Sequence, residues 1–268
     1  MDTRFWGPSG WECLHQITFA YGPAQKKAVT ELFEMLPFVL PCKFCRASLT
    51  TYLKSDPIDL STREAFSRWL WRIHNAVNDK LRKQGQDIAA DPTFESVKTY
   101  YMDSLASGCT RTHFPGWTFL FSIAENHPLC KESRKTTPLP DAPPRSPGMT
   151  DEDLNEWNLL RPEERLPYYR RFWTAIGGSL PYPEWRSLWE KEARKVGLRA
   201  HTGNRWALLK ALWRLRCTME SELELQNRTQ FADLCRTLAD HRSGCAKSKR
   251  AITCRKRPRG TNKKTLKK

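Results

Sequence analysis

This 268-residue sequence lacks several things, and each absence narrows what it can be. No apolar run reaches the roughly 18 residues needed to cross a bilayer. The chain opens directly on Trp6-Gly7-Pro8 instead of a charged and then apolar leader, so a soluble protein with no signal peptide and no transmembrane segment is expected. A second Cys-x-x-Cys is absent, as is any His-x-x-x-His, so Cys42-Lys43-Phe44-Cys45 has no partners for a structural zinc site and no metal is expected. Nine cysteines, an odd number, fit poorly with a secreted disulfide scaffold and point to thiols engaged in redox work. Alternating, strand-like patterns are scarce throughout, which leaves an all-α fold.

Acidic residues are missing from 241–268, where twelve Lys or Arg stand. The net charge of +16 is therefore mostly a property of the end of the chain, and the remainder carries 33 basic against 29 acidic residues. A nearly neutral body with a basic tail is expected, the tail disordered from its low apolar content. Clustered Lys and Arg bind phosphates without sequence preference. A nucleic-acid or acidic-partner binding protein acting through the tail is accordingly the alternative function, and weak contact of that kind an additional expectation.

What is present reads as helices. Before residue 110 the pattern predicts helices near 8–21, 24–38, 42–54, 62–83 and 93–105. Ser61-Thr62-Arg63-Glu64 fits a capping box for the fourth, whose apolar stripe is Phe66, Leu70, Ile73, Val77 and Leu81. Residues 131–149 hold Pro138, Pro140, Pro143, Pro144 and Pro147 and read as a linker. Thr150-Asp151-Glu152-Asp153 marks a new helix start, and Trp-rich amphipathic segments follow to about Asp240. The division expected is a first domain over 1–108, a second helical one over 109–240 containing the linker, and the tail over 241–268.

The chemistry centres on Cys42 and Cys45, which follow Leu40-Pro41 and open a helix. There, backbone amides and the helix dipole favour a thiolate. A thioredoxin-like role would need flanking strands, which the sequence does not offer. A dithiol in a helical fold needs a separate two-electron acceptor, and side chains do not supply one, so an organic cofactor is implied.

Three segments resemble the Erv/ALR sulfhydryl oxidases. Trp6-Gly7-Pro8-Ser9-Gly10-Trp11-Glu12-Cys13-Leu14-His15 is similar to that family's first-helix signature, Leu40-Pro41-Cys42-Lys43-Phe44-Cys45 to its redox motif, and Trp71-Arg72-Ile73-His74-Asn75-Ala76-Val77-Asn78-Asp79-Lys80-Leu81 to its flavin helix. The resemblance spans about residues 4–105 and is closest to the versions carried by large DNA viruses. It implies a four-helix bundle with a short fifth helix holding FAD. Contacts to FAD are then expected from Gly7, Trp11, His15, Tyr21, Cys45, His74, Asn75, Asn78, Lys80, Lys83 and Tyr100. Where the family has an Arg or Trp beside the adenine, this chain offers Lys98, Tyr100 and Tyr101. The chemistry of the side chains agrees: an indole stacks on a flat ring, His and Asn bond its polar edges, and Lys meets a diphosphate.

The resemblance further implies oxidation of protein dithiols to disulfides. Substrate attacks Cys42, and Cys45, nearer the flavin, passes electrons on to O2, giving H2O2. Cys245 and Cys254 in the tail are candidates for a shuttle pair, Cys109 and Cys130 for a structural disulfide, and Cys13 for a packed thiol. Host cytoplasm or virion is the expected location, with the mitochondrial intermembrane space as the alternative.

The second half echoes the first. Gly116-Trp117-x-x-Leu120-x-x-Ile123 follows Gly10-Trp11-x-x-Leu14-x-x-Ile17, with His127-Pro128 about where Gly22-Pro23 stands. Leu180-Pro181-Tyr182-Pro183-Glu184-Trp185-Arg186 falls 140 positions after Leu40 to Arg46, and Trp213-Arg214-Leu215-Arg216-Cys217 stands in the place of Trp71 to Asn75. Their shared order predicts a degenerate second copy of the bundle, one that has lost its thiols and its flavin-binding polar set. Such a copy would make the chain a monomeric pseudo-dimer, with a homodimer as the alternative.

Overall fold

A computed structural model describes residues 1–107, 114–134, 137–225 and 229–242, and all regular secondary structure among them is helical. The first half comprises α1 (Thr3–Phe19), a 3₁₀ turn (Pro23–Gln25), α2 (Lys26–Val39), α3 (Lys43–Ser55), α4 (Arg63–Lys83) and α5 (Phe94–Ser107). The second comprises α6 (Trp117–Glu125), α7 (Lys131–Arg134), α8 (Asp151–Glu156), α9 (Pro162–Ser179), α10 (Pro183–Lys195), a 3₁₀ turn (Ala200–Gly203), α11 (Arg205–Glu222) and α12 (Phe231–His241).

The helix starts have identifiable causes. α1 begins five residues before the expected position because Asp2 caps it, its carboxylate accepting from Arg4 N at 3.0 Å. Pro8 is carried inside the helix, and the early turn is tied down by the buried Trp6, whose ring packs 5.9 Å from Phe119. The α4 cap is Thr62, not Ser61: its hydroxyl accepts from Ala65 N at 3.0 Å. Glu64, the expected partner of a capping box, instead pairs with Arg68 and Lys98. Thr150 does form a capping box with Asp153, as the sequence leads one to expect.

The apolar stripe of α4 is Phe66, Trp69, Leu70 and Ile73, all buried. Val77 and Leu81, expected to continue it, are only half-buried and, with Trp69, Leu70 and Ile73, line a cavity. The stripe packs on α1 and α2, with Phe66 set edge-on to Phe33 at 4.9 Å.

One continuous hydrophobic core runs through both halves, from Ile17, Leu32 and Phe66 to Phe121, Phe172, Trp189 and Leu212. α2 lies along α9 over the most extensive helix–helix contact, and α1 packs on α6. Gly10 permits the second approach: a Cβ there would stand 3.1 Å from the Phe119 ring. The proline-rich stretch is not a bare tether. It contains the short α7, and its Thr137 carbonyl accepts from both Lys43 Nζ and Asn158 Nδ2.

Several helix boundaries of the second half fall at a nearly constant offset from those of the first. α2, α3 and α4 end or begin at Val39, Lys43 and Arg63, and α9, α10 and α11 at Ser179, Pro183 and Arg205, offsets of 140, 140 and 142. Arg46 Nη1 donates to Leu40 O at 3.0 Å and Arg186 Nη1 to Leu180 O at 2.8 Å. Thr62 caps Ala65 as Asn204 caps Ala207. The match is poorer elsewhere: α6 has nine residues against seventeen in α1, and His127-Pro128 lies in a turn closed by Cys130 N to His127 O, not a 3₁₀ helix.

Candidate functional site

Helices α1 to α5 enclose a cavity of about 600 Å³, a size typical of ligand sites. Its apolar wall includes Leu14, Phe33, Leu36, Leu49, Leu70, Ile73 and Val77, and Phe119 of the second half closes one side. Cys45 lies on its lining, delivered by the first turn of α3. Cys42 is the N-cap of that helix and, like Cys45, is half-buried. Helix-dipole stabilisation of a thiolate is strongest at this helix end.

Of the residues singled out from the sequence, Gly7, Trp11, Cys45, His74, Asn78, Lys80 and Tyr100 all line this cavity. His15 stands just behind it: His15 Nε2 and His74 Nδ1 share a hydrogen bond at 3.2 Å. Tyr21 is elsewhere, buried in the core with its hydroxyl donating to Leu60 O at 3.2 Å. Asn75 and Lys83 are not on the cavity lining. Lys98 turns back to Glu64 at 3.0 Å. Cys13 is packed, and burial, with Glu12 adding, pushes its thiol up to about 12, which makes it inert. Cys130 is buried beside Ser133, while Cys109, Cys245 and Cys254 lie outside the described residues.

The polar edge is preorganised. Trp11 stacks on His74 with centroids 3.9 Å apart, and Tyr101 stacks on His15 at 5.2 Å. Burial lowers His15 to about 3, the His74 charge adding to the effect, and lowers His74 to about 4 against an opposing pull from Asp91. Both imidazoles are therefore neutral near pH 7, so the shared bond has one donor and one acceptor. Asn78 Nδ2 donates to Asp91 Oδ1 at 2.7 Å, and Arg82 pairs with the same carboxylate. Lys80 Nζ donates to Ser48 Oγ, joining α4 to α3, and Tyr52 OH repeats that link by donating to Ala76 O at 3.3 Å.

Asp91, Gln86 and Phe119 escape sequence reasoning as site residues. Asp91 and Gln86 sit in the loop between α4 and α5, where no periodicity marks them, and Phe119 is brought in by tertiary packing. The sequence signal available was the pair Tyr100-Tyr101, of which the more buried Tyr101 makes the ring contacts with His15 and Phe19.

A cofactor fits what is there. His15 Nδ1 is buried without a partner, an orphan that a bound polar edge would satisfy. The lining combines a long apolar slot with His74, Asn78 and Lys80 at its rim. That is the donor set for an extended molecule with a flat heterocycle and a diphosphate, which FAD is.

A helical bundle with a Cys-x-x-Cys at the edge of a flavin-sized slot defines a class of flavin-linked dithiol proteins. The Erv1 / Alr family model matches residues 8–100, which run from α1 into α5. The chain belongs to the Erv1/Alr family. It is 36% identical over 83 residues to the FAD-linked sulfhydryl oxidase of African swine fever virus (isolate Warthog/Namibia/Wart80/1980), covering 30% of this chain and 70% of that protein. It is 31% identical over 87 residues to the mitochondrial FAD-linked sulfhydryl oxidase ERV1 of Saccharomyces cerevisiae, covering 31% of this chain and 46% of that one. With the probable FAD-linked sulfhydryl oxidase R368 of Acanthamoeba polyphaga mimivirus it shares 32% identity over 85 residues, 29% of this chain and 59% of that one. No solved structure matches the chain.

Proposed function

We propose that this protein is an FAD-dependent thiol oxidase that forms disulfides in protein substrates. The observation that carries this is Cys45 on the lining of the cavity whose other edge is Trp11, His74, Asn78 and Lys80. Similarity to FAD-linked sulfhydryl oxidases supports it.

In this reading a substrate thiolate attacks Cys42 Sγ, the Cys42–Cys45 bond breaks, and a mixed disulfide forms. A second substrate thiolate then attacks the substrate sulfur, releasing substrate disulfide and leaving both cysteines as thiols. FAD held in the slot would supply the two-electron acceptor for that dithiol and the route to O2, so that overall two thiols and one O2 would become one disulfide and one H2O2. Cys45, the member of the pair on the cavity lining, is the thiol that would face such an acceptor. Trp11, His74, Asn78, Lys80 and Tyr100 of the lining would hold it: an indole and an imidazole can stack on a flat heterocycle, Asn78 can bond a polar edge, and Lys80 can meet a diphosphate.

The second half is read as a degenerate copy of the first. The 140–142 residue offsets, the repeated Arg46 and Arg186 hydrogen bonds, and the packing of α1 on α6 and α2 on α9 support that reading, because equivalent helices meeting across an axis is the pattern of a two-fold pair. The chain would then be a pseudo-dimer within one polypeptide, with domains over 1–108 and 109–240 and the tail beyond. Among the described residues no helix is long and apolar enough to cross a membrane. A viral origin, with host cytoplasm or virion as the site of action, is favoured by the similarity to the swine fever virus and mimivirus proteins.

The test is direct. The purified chain is expected to be yellow, to bind one flavin, and to consume O2 in the presence of dithiothreitol. A colourless protein that leaves O2 untouched rejects the reading, and two flavins per chain reject the degenerate copy.

A further inference from the structure

Two faces of α3 meet different surroundings. Cys45, Ser48, Leu49 and Leu53 share the one that lines the cavity. Lys43, Arg46, Thr50, Thr51 and Lys54 fall at helical spacing on another, and each of them bonds to residues 137–158 of the second half. Lys43 Nζ donates to Thr137 O at 2.8 Å and to Pro138 O at 3.3 Å, and Arg46 Nη2 to Asn158 Oδ1 at 2.7 Å. Thr50 Oγ1 accepts from Asn155 Nδ2 at 2.9 Å, and Thr51 Oγ1 donates to Glu156 Oε1 at 3.0 Å. Lys54 Nζ reaches Asp153 at 2.7 Å and Glu156 at 2.8 Å.

The inner contacts of this set are buried: Arg46 and Thr50 are each 2% exposed and Asn155 1%. Asn155 Nδ2 also donates to Pro37 O at 2.9 Å, so one amide holds the last turn of α2 to the middle of α3. Asn158 is held in turn. It has a left-handed φ of 55°, its Nδ2 donates to Thr137 O at 2.9 Å, and Leu139 N beside it donates to Trp157 O at 3.1 Å. Lys43 and Asn158 thus converge on one carbonyl, and the first turn of α3, with Cys42 at its cap and Cys45 within it, is closed into a ring of bonds with the second half. Removing one partner of a buried polar contact leaves the other unsatisfied, whereas the exposed Lys54 pairs add little.

The segment responsible is an addition to the second half. α1 and α2 are joined by 20–25, whereas α6 and α9 are joined by 126–161, and the extra length contains 137–158. It also lies outside residues 8–100, which the Erv1 / Alr family model matches. α10, which stands 140 positions after α3, is held differently. The residues on its corresponding face are Pro183, Arg186, Glu190, Lys191 and Arg194. Arg186 donates to Leu180 O and Pro181 O, Glu190 pairs with Arg199 and Lys191 with Glu192, all within 180–199, and Lys191 and Arg194 are exposed. The added segment bonds to the helix that carries the thiols, not to that helix's copy.

We propose that 137–158 is a brace that fixes α3, and with it Cys42 and Cys45, against the cavity, with Asn155 and Asn158 as its positioning residues. Apolar contacts on the cavity side are non-directional, whereas hydrogen bonds along the outer face fix the rotation and register of the helix. That matters for a thiol that must meet an acceptor in the slot, because a displacement of about 1 Å can cost on the order of 100-fold in rate. Neither asparagine is on the cavity lining, so both act through α3. The second half then has a part in the redox step as well as in packing. The proposal rests on reading Cys42 and Cys45 as the redox pair.

The full-length flavoprotein is compared with its variants by two measurements. One is hydrogen exchange of α3 and α4 peptides by mass spectrometry, and the other is the anaerobic rate of flavin reduction at saturating dithiothreitol, read as loss of visible absorbance. Asn158→Gly keeps the left-handed backbone and removes both side-chain bonds. It is expected to exchange α3 about tenfold faster with α4 unchanged, and to reduce flavin about tenfold more slowly with flavin per chain at the wild-type level. Asn158→Asp keeps an acceptor for Arg46 and tolerates the same backbone, and is expected to follow wild type in both measurements. Should Asn158→Gly lose its fold, judged by thermal melting, Lys43→Met, which removes the Nζ bonds to 137–138, decides by the same criteria. Exchange of α3 at the wild-type rate, equal loosening of α3 and α4, flavin reduction at the wild-type rate, or an Asn158→Asp protein as slow as Asn158→Gly overturns the proposal. A wild type that binds no flavin counts instead against the oxidase reading, and the exchange of α3 then decides the brace alone.

Discussion

His74 lies flat on Trp11, with ring centroids 3.9 Å apart and planes within 10° of parallel, so the middle of α4 is clamped to α1 at the edge of the cavity. Behind the pair, His15 completes a buried row through its bond to His74. This row is both part of the proposed cofactor site and a contact holding two bundle helices together, and the two roles separate experimentally.

Cys45→Ser is expected to abolish dithiol oxidation while flavin absorbance remains at wild-type level, because Trp11, His74 and Asn78 are untouched. Replacing His74 and Asn78 together with Ala is expected to give the reverse order of loss, a largely colourless protein whose Cys42 and Cys45 still react with iodoacetamide. Visible absorbance per chain and O2 uptake check both. A double variant that purifies fully yellow would remove these residues from the site.

Stability should fall with acid. His15 and His74 have folded values of about 3 and about 4, below the ordinary 6.5, so the unfolded chain binds protons between those limits that the folded chain does not. Stability is therefore complete above about pH 6.5 and is lost as the pH falls toward 4, by roughly 1.4 kcal/mol per pH unit for each imidazole. Thermal midpoints at pH 7, 6 and 5 should descend, and His15→Gln should flatten the slope. A midpoint unchanged from pH 7 to pH 5 would contradict the buried neutral pair.

The tail can be removed, but where the cut falls matters. Glu125, 3% exposed, is held by Arg205 Nη1 at 2.7 Å and Arg242 Nε at 2.6 Å. Deleting 243–268 should leave dithiothreitol oxidation and the melting temperature unchanged. Deleting 242–268 removes one partner of a buried carboxylate and should cost about 1–3 kcal/mol. Loss of small-dithiol oxidation in the shorter deletion would make the tail part of the active site, whereas loss confined to protein substrates would point to Cys245 and Cys254 as a shuttle.

Gly177→Ala measures how tightly the second half is packed. Glycine within a helix ordinarily costs about 1 kcal/mol relative to alanine. Here a Cβ would stand 2.3 Å from Trp189 Cδ1, and Trp189 is only 1% exposed, so the indole cannot move aside freely. The substitution should lower the melting temperature by several degrees despite the gain in helix propensity. A rise would show that α9 and α10 pack loosely.

The sequence by itself determined the helices, the order of the three motifs, and the place of the dithiol at a helix start. These are local matters of periodicity, capping and spacing, and α2 to α5 begin and end within two residues of where the pattern puts them. It also carried the echo between Leu40–Arg46 and Leu180–Arg186. Tertiary structure alone decided which polar residues face one another. Asn75 belongs to the same motif segment as Asn78 yet lies off the lining, because a helix places neighbours about 100° apart and only packing selects which face meets the slot. Tyr21, expected at the end of the first helix, falls two residues beyond α1 and is buried in the core instead. Packing likewise brought Phe119, Asn158 and Arg165 from more than 60 residues away in sequence to the redox half of the molecule. No local pattern encodes such contacts, since they exist only once two helical faces have buried their apolar surfaces against each other.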